Sequence, residues 1–149
     1  VGTGVTSTSF TVVLVTDDPL YGARLRRAFI RAGRGVCLFL AGTGATSLPS
    51  VQARAFPQPH VVLVDLDASG SHAEATLRWL RKDRQLASVP VVMLGAEDQN
   101  DLVAAGYRAG ANACLRKPLA EDAMNEIARS VGDYAYLLQI KPDAALIQA

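Results

Sequence analysis

Val12-Val13-Leu14-Val15-Thr16-Asp17 and Val61-Val62-Leu63-Val64-Asp65 are the stretches that decide how this chain folds. Each is a run of consecutive apolar, β-prone residues that ends in an acid. Apolar residues at successive positions, without polar alternation, fit strands covered by helices on both faces. Similar runs recur along the chain, at 11–16, 35–40, 60–65, 90–95 and 112–116. The interval of about 25 residues is what a strand, a crossover helix and two loops require. The expected fold is an α/β, doubly wound parallel sheet of five strands, order 2-1-3-4-5, with five helices.

Between the strand runs lie stretches of helical character. The first opens at Pro19, a residue suited to an initial helical turn, and Gly33 ends it. Its expected apolar stripe is Leu20, Leu25, Phe29 and Ile30. The second, 43–56, contains Gly44 and Pro49 and should be short or distorted. The third, about 70–86, carries Leu77, Trp79 and Leu80. The fourth, 98–109, carries Leu102, Val103 and Tyr107 before Gly110. The fifth starts near 120, carries Met124, Ile127 and Val131, and extends as far as Leu138.

At 149 residues, half of them apolar, the chain can bury one real core. The expected domain spans 11–140, after a disordered lead or expression remnant at 1–10 and before a tail at 141–149. A net charge of +1 gives no general drive toward nucleic acid or acidic surfaces. Arg24, Arg26, Arg27, Arg31 and Arg34 crowd one helix without interleaved aromatics, as a solvated face does. No apolar stretch reaches the ~18 residues of a membrane span, and no signal peptide is recognisable. Cys37 and Cys114 fall in the second and fifth strands. At opposite sheet edges they would lie about 19 Å apart, four spacings of ~4.8 Å, too far for a disulfide. A reducing, cytoplasmic setting is expected.

In strand order 2-1-3-4-5 the ends carrying Asp17 and Asp65 are neighbours, on the edge where such sheets bind ligands. Two carboxylates that close need a compensating charge. Mg²⁺ suits a site with few carboxylates, several waters and a phosphate oxygen. Asp65 is then a nucleophile toward phosphorus, and Lys117, from the fifth strand, a partner for a phosphoryl oxygen.

The blocks Val13-Leu14-Val15-Thr16-Asp17-Asp18-Pro19, Val61 to Asp67, Pro90-Val91-Val92-Met93-Leu94 and Gly110 to Pro118 resemble the signature of bacterial two-component response-regulator receiver domains. The resemblance covers roughly residues 11–138, in order and spacing. It implies a flavodoxin-like fold and a phosphorelay signalling module that is not an enzyme. It makes Asp65 the phosphoacceptor, fed by a sensor histidine kinase or phosphotransfer protein. Asp17 becomes a direct Mg²⁺ ligand and the Asp67 backbone carbonyl another, while Lys117 binds the phosphoryl group through a stretch whose Pro118 bond is commonly cis. A face of the fourth helix, fifth strand and fifth helix carries output and can dimerise. Neither nucleic acid nor membrane is a direct partner.

Four residues depart from that family's pattern. Thr16 stands where a second acid is usual; Asp18 could partly replace it, but reads first as a cap for the opening helix. Gly95 stands where a serine or threonine hydroxyl usually holds a phosphoryl oxygen. Cys114 replaces the aromatic switch residue, and Ser69 replaces a proline. The expectation is a weakly bound Mg²⁺, a phosphoacceptor that works poorly, and blunted switching. The alternative is a pseudo-receiver that acts through protein contacts without phosphate.

Other readings are weaker. Asp65-Leu66-Asp67 after an apolar strand is similar to the nucleophile motif of haloacid-dehalogenase-type phosphatases. Those, however, usually carry a hydroxyl where Gly95 stands and a later acidic pair. Gly42-Thr43-Gly44 after a strand suggests dinucleotide binding, but Ser47 replaces the third glycine and Pro49 interrupts the helix. His60 and His72 lack partners at metal-ligand spacing and read as surface residues. Cys114 reads as an inert strand thiol.

Overall fold

The computed structural model of the protein describes residues 10–41, 51–52, 56–66 and 71–138. Five parallel strands form one sheet in the order β2-β1-β3-β4-β5. They are β1 (Phe10–Val15), β2 (Val36–Ala41), β3 (Val61–Asp65), β4 (Val91–Gly95) and β5 (Ala113–Arg116), each within a residue or so of its expected place. Among the described residues there are four helices, not the expected five: α1 (Pro19–Ala32), α2 (Ser71–Lys82), α3 (Asn100–Ala109) and α4 (Glu121–Leu138). The second expected helix falls largely outside the described residues. Of its span, Val51 and Gln52 are helical, and Val51 is buried.

Alternation along the strands divides the core into two layers. Phe10, Val12 and Leu14 of β1 face α1 and α4, and pack with Leu25, Phe29 and Met124. Val13 and Val15 face the other way, toward Leu77, Leu80 and Met93. Full burial of each such side chain contributes about 1.5–3 kcal/mol. These two layers are why β3, and β1 apart from the buried Thr11, are apolar up to their ends.

The helix signals were mostly where the sequence put them. Asp18 caps α1, its Oδ1 accepting from the Tyr21 N–H at 3.0 Å, and Gly33 ends the helix with φ +62. The stripe of α1 needs correction. Leu20 and Ile30 are 77% and 69% exposed, and Tyr21, Leu25, Ala28 and Phe29 form the buried face. Leu77 and Leu80 are buried as expected, but Tyr107 is exposed and α3 buries Gly106 and Ala109. Gly106 is there because a Cβ would meet Met93.

Arg81 ties the end of α2 to two loops. Its guanidinium donates to the carbonyls of Gly110, Ala87 and Val89 and to Asn112 Oδ1. Asn112 Oδ1 also accepts from the Val91 N–H, which fixes the entry to β4. His60 is exposed yet structural: its ring stacks on Phe10, and Nδ1 accepts from the Thr11 N–H at 3.0 Å. The His72 side chain lies outside the described residues. Cys37 and Cys114 are free and sit on the two edge strands. No helix among the described residues is long and apolar enough to cross a membrane.

Candidate functional site

Register decides which side chains meet at the carboxyl edge. Val15 of β1 pairs with Val64 of β3, so the next residue on each strand, Thr16 and Asp65, form a cross-strand row. Thr16 Oγ1 accordingly donates to Asp65 Oδ2 at 2.7 Å. Thr16 Oγ1 in turn accepts from the Asp18 N–H, which aims its proton at the carboxylate. Asp17 is half-buried, one residue beyond the row. The hydroxyl of Thr16 is thus a direct neighbour of the Asp65 carboxylate, at the same strand end as Asp17.

Among the described residues Asp65 is the buried acid, with a side chain only 4% exposed. Its second oxygen, Oδ1, lies 2.8 Å from Lys117 Nζ. That contact is an ion pair without hydrogen-bond alignment, and it leaves Oδ1 an otherwise unpartnered acceptor. Lys117 starts two strands away, and its N–H donates to the Gly95 carbonyl at 2.8 Å. Its chain crosses the end of β4 where Gly95 has no side chain, and it is itself 22% exposed. The carboxylate thus has a cation on one oxygen and a hydroxyl on the other.

Two neighbours had escaped the sequence reading. Tyr21 packs beside the ion pair, with Lys117 Nζ over its ring at 4.3 Å from the centroid. Burial first, then the negative charge of Asp65, pushes its phenol well above the usual tyrosine range. Gln99 bridges two strand exits: Oε1 accepts from the Ala96 N–H at 2.6 Å and Nε2 donates to the Leu66 carbonyl at 3.3 Å. A tyrosine in the first turn of a helix leaving a strand edge is a readable signal, because helical side chains lean toward the N-terminus. An amide in a loop gives none.

Three side chains line the place beside Gly95. A Cβ there would lie 3.1 Å from Leu66 Cδ1, 3.4 Å from Cys114 Sγ and 3.5 Å from Gln99 Oε1. Cys114 is half-buried, and desolvation raises its thiol pKa above the ordinary value. The Lys117–Pro118 bond is trans, since no cis peptide occurs among the described residues. This corrects the expectation of a cis bond, and trans is the intrinsically favoured form. Asp67 and Ser69 lie outside the described residues.

The fit to a hard cation rests on few ligands. Asp65 and Asp17 bring carboxylates to one edge, and Asp65 Oδ1 is a buried acceptor with spare capacity. Among the described residues no group of three or more His, Cys, Asp or Glu converges. Such a donor set suits Mg²⁺, which keeps several waters and takes one or two carboxylates.

The model of the response regulator receiver domain matches residues 12–129. This chain belongs to that family. The receiver is 26% identical over 120 residues to the protein PilH of Pseudomonas aeruginosa, covering 80% of this chain and 95% of PilH. Its fold is similar to that of the Mn²⁺-bound form of response regulator Rcp1, at TM-score 0.68 and 19% identity, covering 91% of this chain and 99% of that one. It is also similar to the receiver domain of the sensor histidine kinase PA1611 of P. aeruginosa, solved with magnesium in its active-site cleft. That comparison gives TM-score 0.62 and 20% identity, over 85% of this chain and 99% of the other. At these identities the structures speak to the fold of the receiver. Family membership places the chain in two-component signalling.

Proposed function

We propose that this receiver accepts a phosphoryl group on Asp65 from a histidine kinase or phosphotransfer protein, slowly and with blunted switching. The observation that carries this reading is the buried Asp65 carboxylate, held between the Lys117 ammonium and the Thr16 hydroxyl at the strand edge. In the transfer an Asp65 oxygen forms a bond to phosphorus. The bond from phosphorus to the donor's imidazole nitrogen breaks, and its electron pair leaves with the nitrogen. Lys117 is already placed to neutralise a phosphoryl oxygen.

Asp17 and Asp65 are the residues that would hold a divalent cation, with the Asp67 carbonyl a further donor outside the described residues. Bound there, Mg²⁺ withdraws charge from the phosphoryl oxygens. Thr16 brings no charge where a second acid would, and Lys117 already offsets Asp65, so Mg²⁺ binding is weak. The protein acts as a signalling module and not an enzyme, in a reducing cytoplasm that suits its two free thiols.

Blunted switching follows from Gly95 and Cys114. Neither offers a hydroxyl or an aromatic ring, and Gln99 already ties the Ala96 and Leu66 backbones together without phosphate. That same tie favours the second reading, a phosphate-independent module working through protein contacts. Exposed Tyr107, Leu115 and Leu119 on the face of α3, β5 and α4 supply a surface for a partner or a second copy. A monomer by light scattering at high concentration would remove the second copy.

Incubation with Mg²⁺ and acetyl phosphate, followed by intact mass measurement, tests the proposal. Slow, partial addition of one phosphoryl group is expected, and none in Asp65→Asn. Rapid, complete addition would show that Thr16 and Gly95 cost little. No addition would leave the phosphate-independent module.

A further inference from the structure

Tyr21 is a buried polar group that the reading above leaves without a task. It is 4% exposed, and its phenol oxygen has no hydrogen-bond partner. A hydroxyl taken out of water and left unpaired is costly, and native proteins rarely keep one without a use. Its surroundings suggest the use. α1 begins at the carboxyl edge of the sheet, and a helical side chain leans back toward the helix start, so the ring leans toward Asp65.

Lys117 Nζ joins the two groups. It lies 2.8 Å from Asp65 Oδ1 and 4.3 Å from the centre of the Tyr21 ring, over its face. An ammonium so placed is roughly 5 Å from the phenol oxygen. That spacing suits two donors to different oxygens of one phosphoryl group, each bond being about 2.8 Å long. The Thr16 hydroxyl is already spent on Asp65 Oδ2, and Gly95 has none to give. The charge of Asp65 and the burial of the ring keep the phenol protonated, hence a donor, throughout the physiological range.

We propose that the Tyr21 hydroxyl donates a hydrogen bond to a phosphoryl oxygen carried on Asp65, supplying from α1 the donor that β4 lacks at Gly95. This rests on Asp65 being a phosphoacceptor. It gives Tyr21 two parts in one site: the ring face holds Lys117, and the hydroxyl waits for the phosphoryl group.

Tyr21→Phe separates these parts, because it keeps the ring and removes only the oxygen. The probe is beryllofluoride with Mg²⁺, which binds a carboxylate as a phosphoryl mimic, titrated by fluorine NMR beside thermal unfolding of the unliganded protein. Two changes of opposite sense are expected. The variant is at least as stable as the parent without ligand, since an unpaired buried hydroxyl has gone. Its beryllofluoride affinity falls about tenfold or more, as loss of a hydrogen bond to a charged group requires. Equal affinity in parent and variant would overturn the Tyr21 proposal and leave the Asp65 reading standing. A clear loss of stability without ligand would also overturn it, by showing that the hydroxyl already has a partner. If the parent binds no more beryllofluoride than Asp65→Asn, both readings fall together.

Discussion

Replacing Thr16 by Asp tests the electrostatic account of the site in one step. The hydroxyl donates to Asp65 Oδ2 at 2.7 Å, inside a pocket where both residues are buried. Losing a hydrogen bond to an ionised group costs about 1.5–3 kcal/mol. Two carboxylates about 4 Å apart repel by roughly 4 kcal/mol at an effective dielectric of 20. A proton shared by the pair caps that figure, because binding it at pH 7 to an ordinary aspartate costs about 4 kcal/mol. With partial relaxation, Thr16→Asp should lose about 3–5 kcal/mol in a chelator, or roughly 10–20 °C in Tm for a chain of this size.

The loss should also depend on pH and on metal. The strained pair binds an extra proton in the folded state, so its folded pKa lies above the unfolded one, and stability falls as pH rises from 5 to 8. Mg²⁺ relieves the same repulsion. At a hundredfold over its Kd it restores about 2.7 kcal/mol, whereas the parent responds only weakly over the same titration. Differential scanning fluorimetry across pH, with chelator or Mg²⁺, reads all of this. A variant as stable as its parent in chelator, or indifferent to Mg²⁺, would refute the assignment of Thr16 and Asp65 to one charge-balanced row.

Two further outcomes follow from the thiols and from Arg81. Cys37 is exposed and Cys114 half-buried with its thiol pKa raised by desolvation. Iodoacetamide at pH 8 should therefore label Cys37 first, and the lag at Cys114 should shrink as pH rises and its thiolate forms; peptide mapping by mass spectrometry measures both. Arg81→Lys keeps the charge but loses the planar fork that reaches Gly110, Ala87, Val89 and Asn112. It should cost about 2–3 kcal/mol in urea unfolding, and a neutral result would show those bonds to be replaceable by water.

The sheet was legible because its strands are buried on both faces, so each announces itself as an uninterrupted apolar run with a sharp end. Asp18 and Gly33 were legible for a local reason, since caps are set by one residue and its immediate neighbours. The face of α1 was not. Leu20 and Ile30 outrank Tyr21 and Ala28 in apolar character, yet the wheel turns the latter pair inward. The row of Thr16 and Asp65 was equally hidden, because it depends on Val15 pairing with Val64, a fact of two strands together. Gln99 took its position from backbone groups of Leu66 and Ala96, which no side-chain pattern records.

Gly95 has an implication for anyone who would put a hydroxyl at the end of β4. Leu66, Cys114 and Gln99 have closed in on the space that a side chain would need. A threonine introduced alone would press on the Leu66 methyl, 3.1 Å from its Cβ, and come into contact with the thiol and the amide. Its first effect would be on packing. A hydroxyl at this position therefore calls for a matched change at Leu66, and an exchange made alone will register first as strain in the packing.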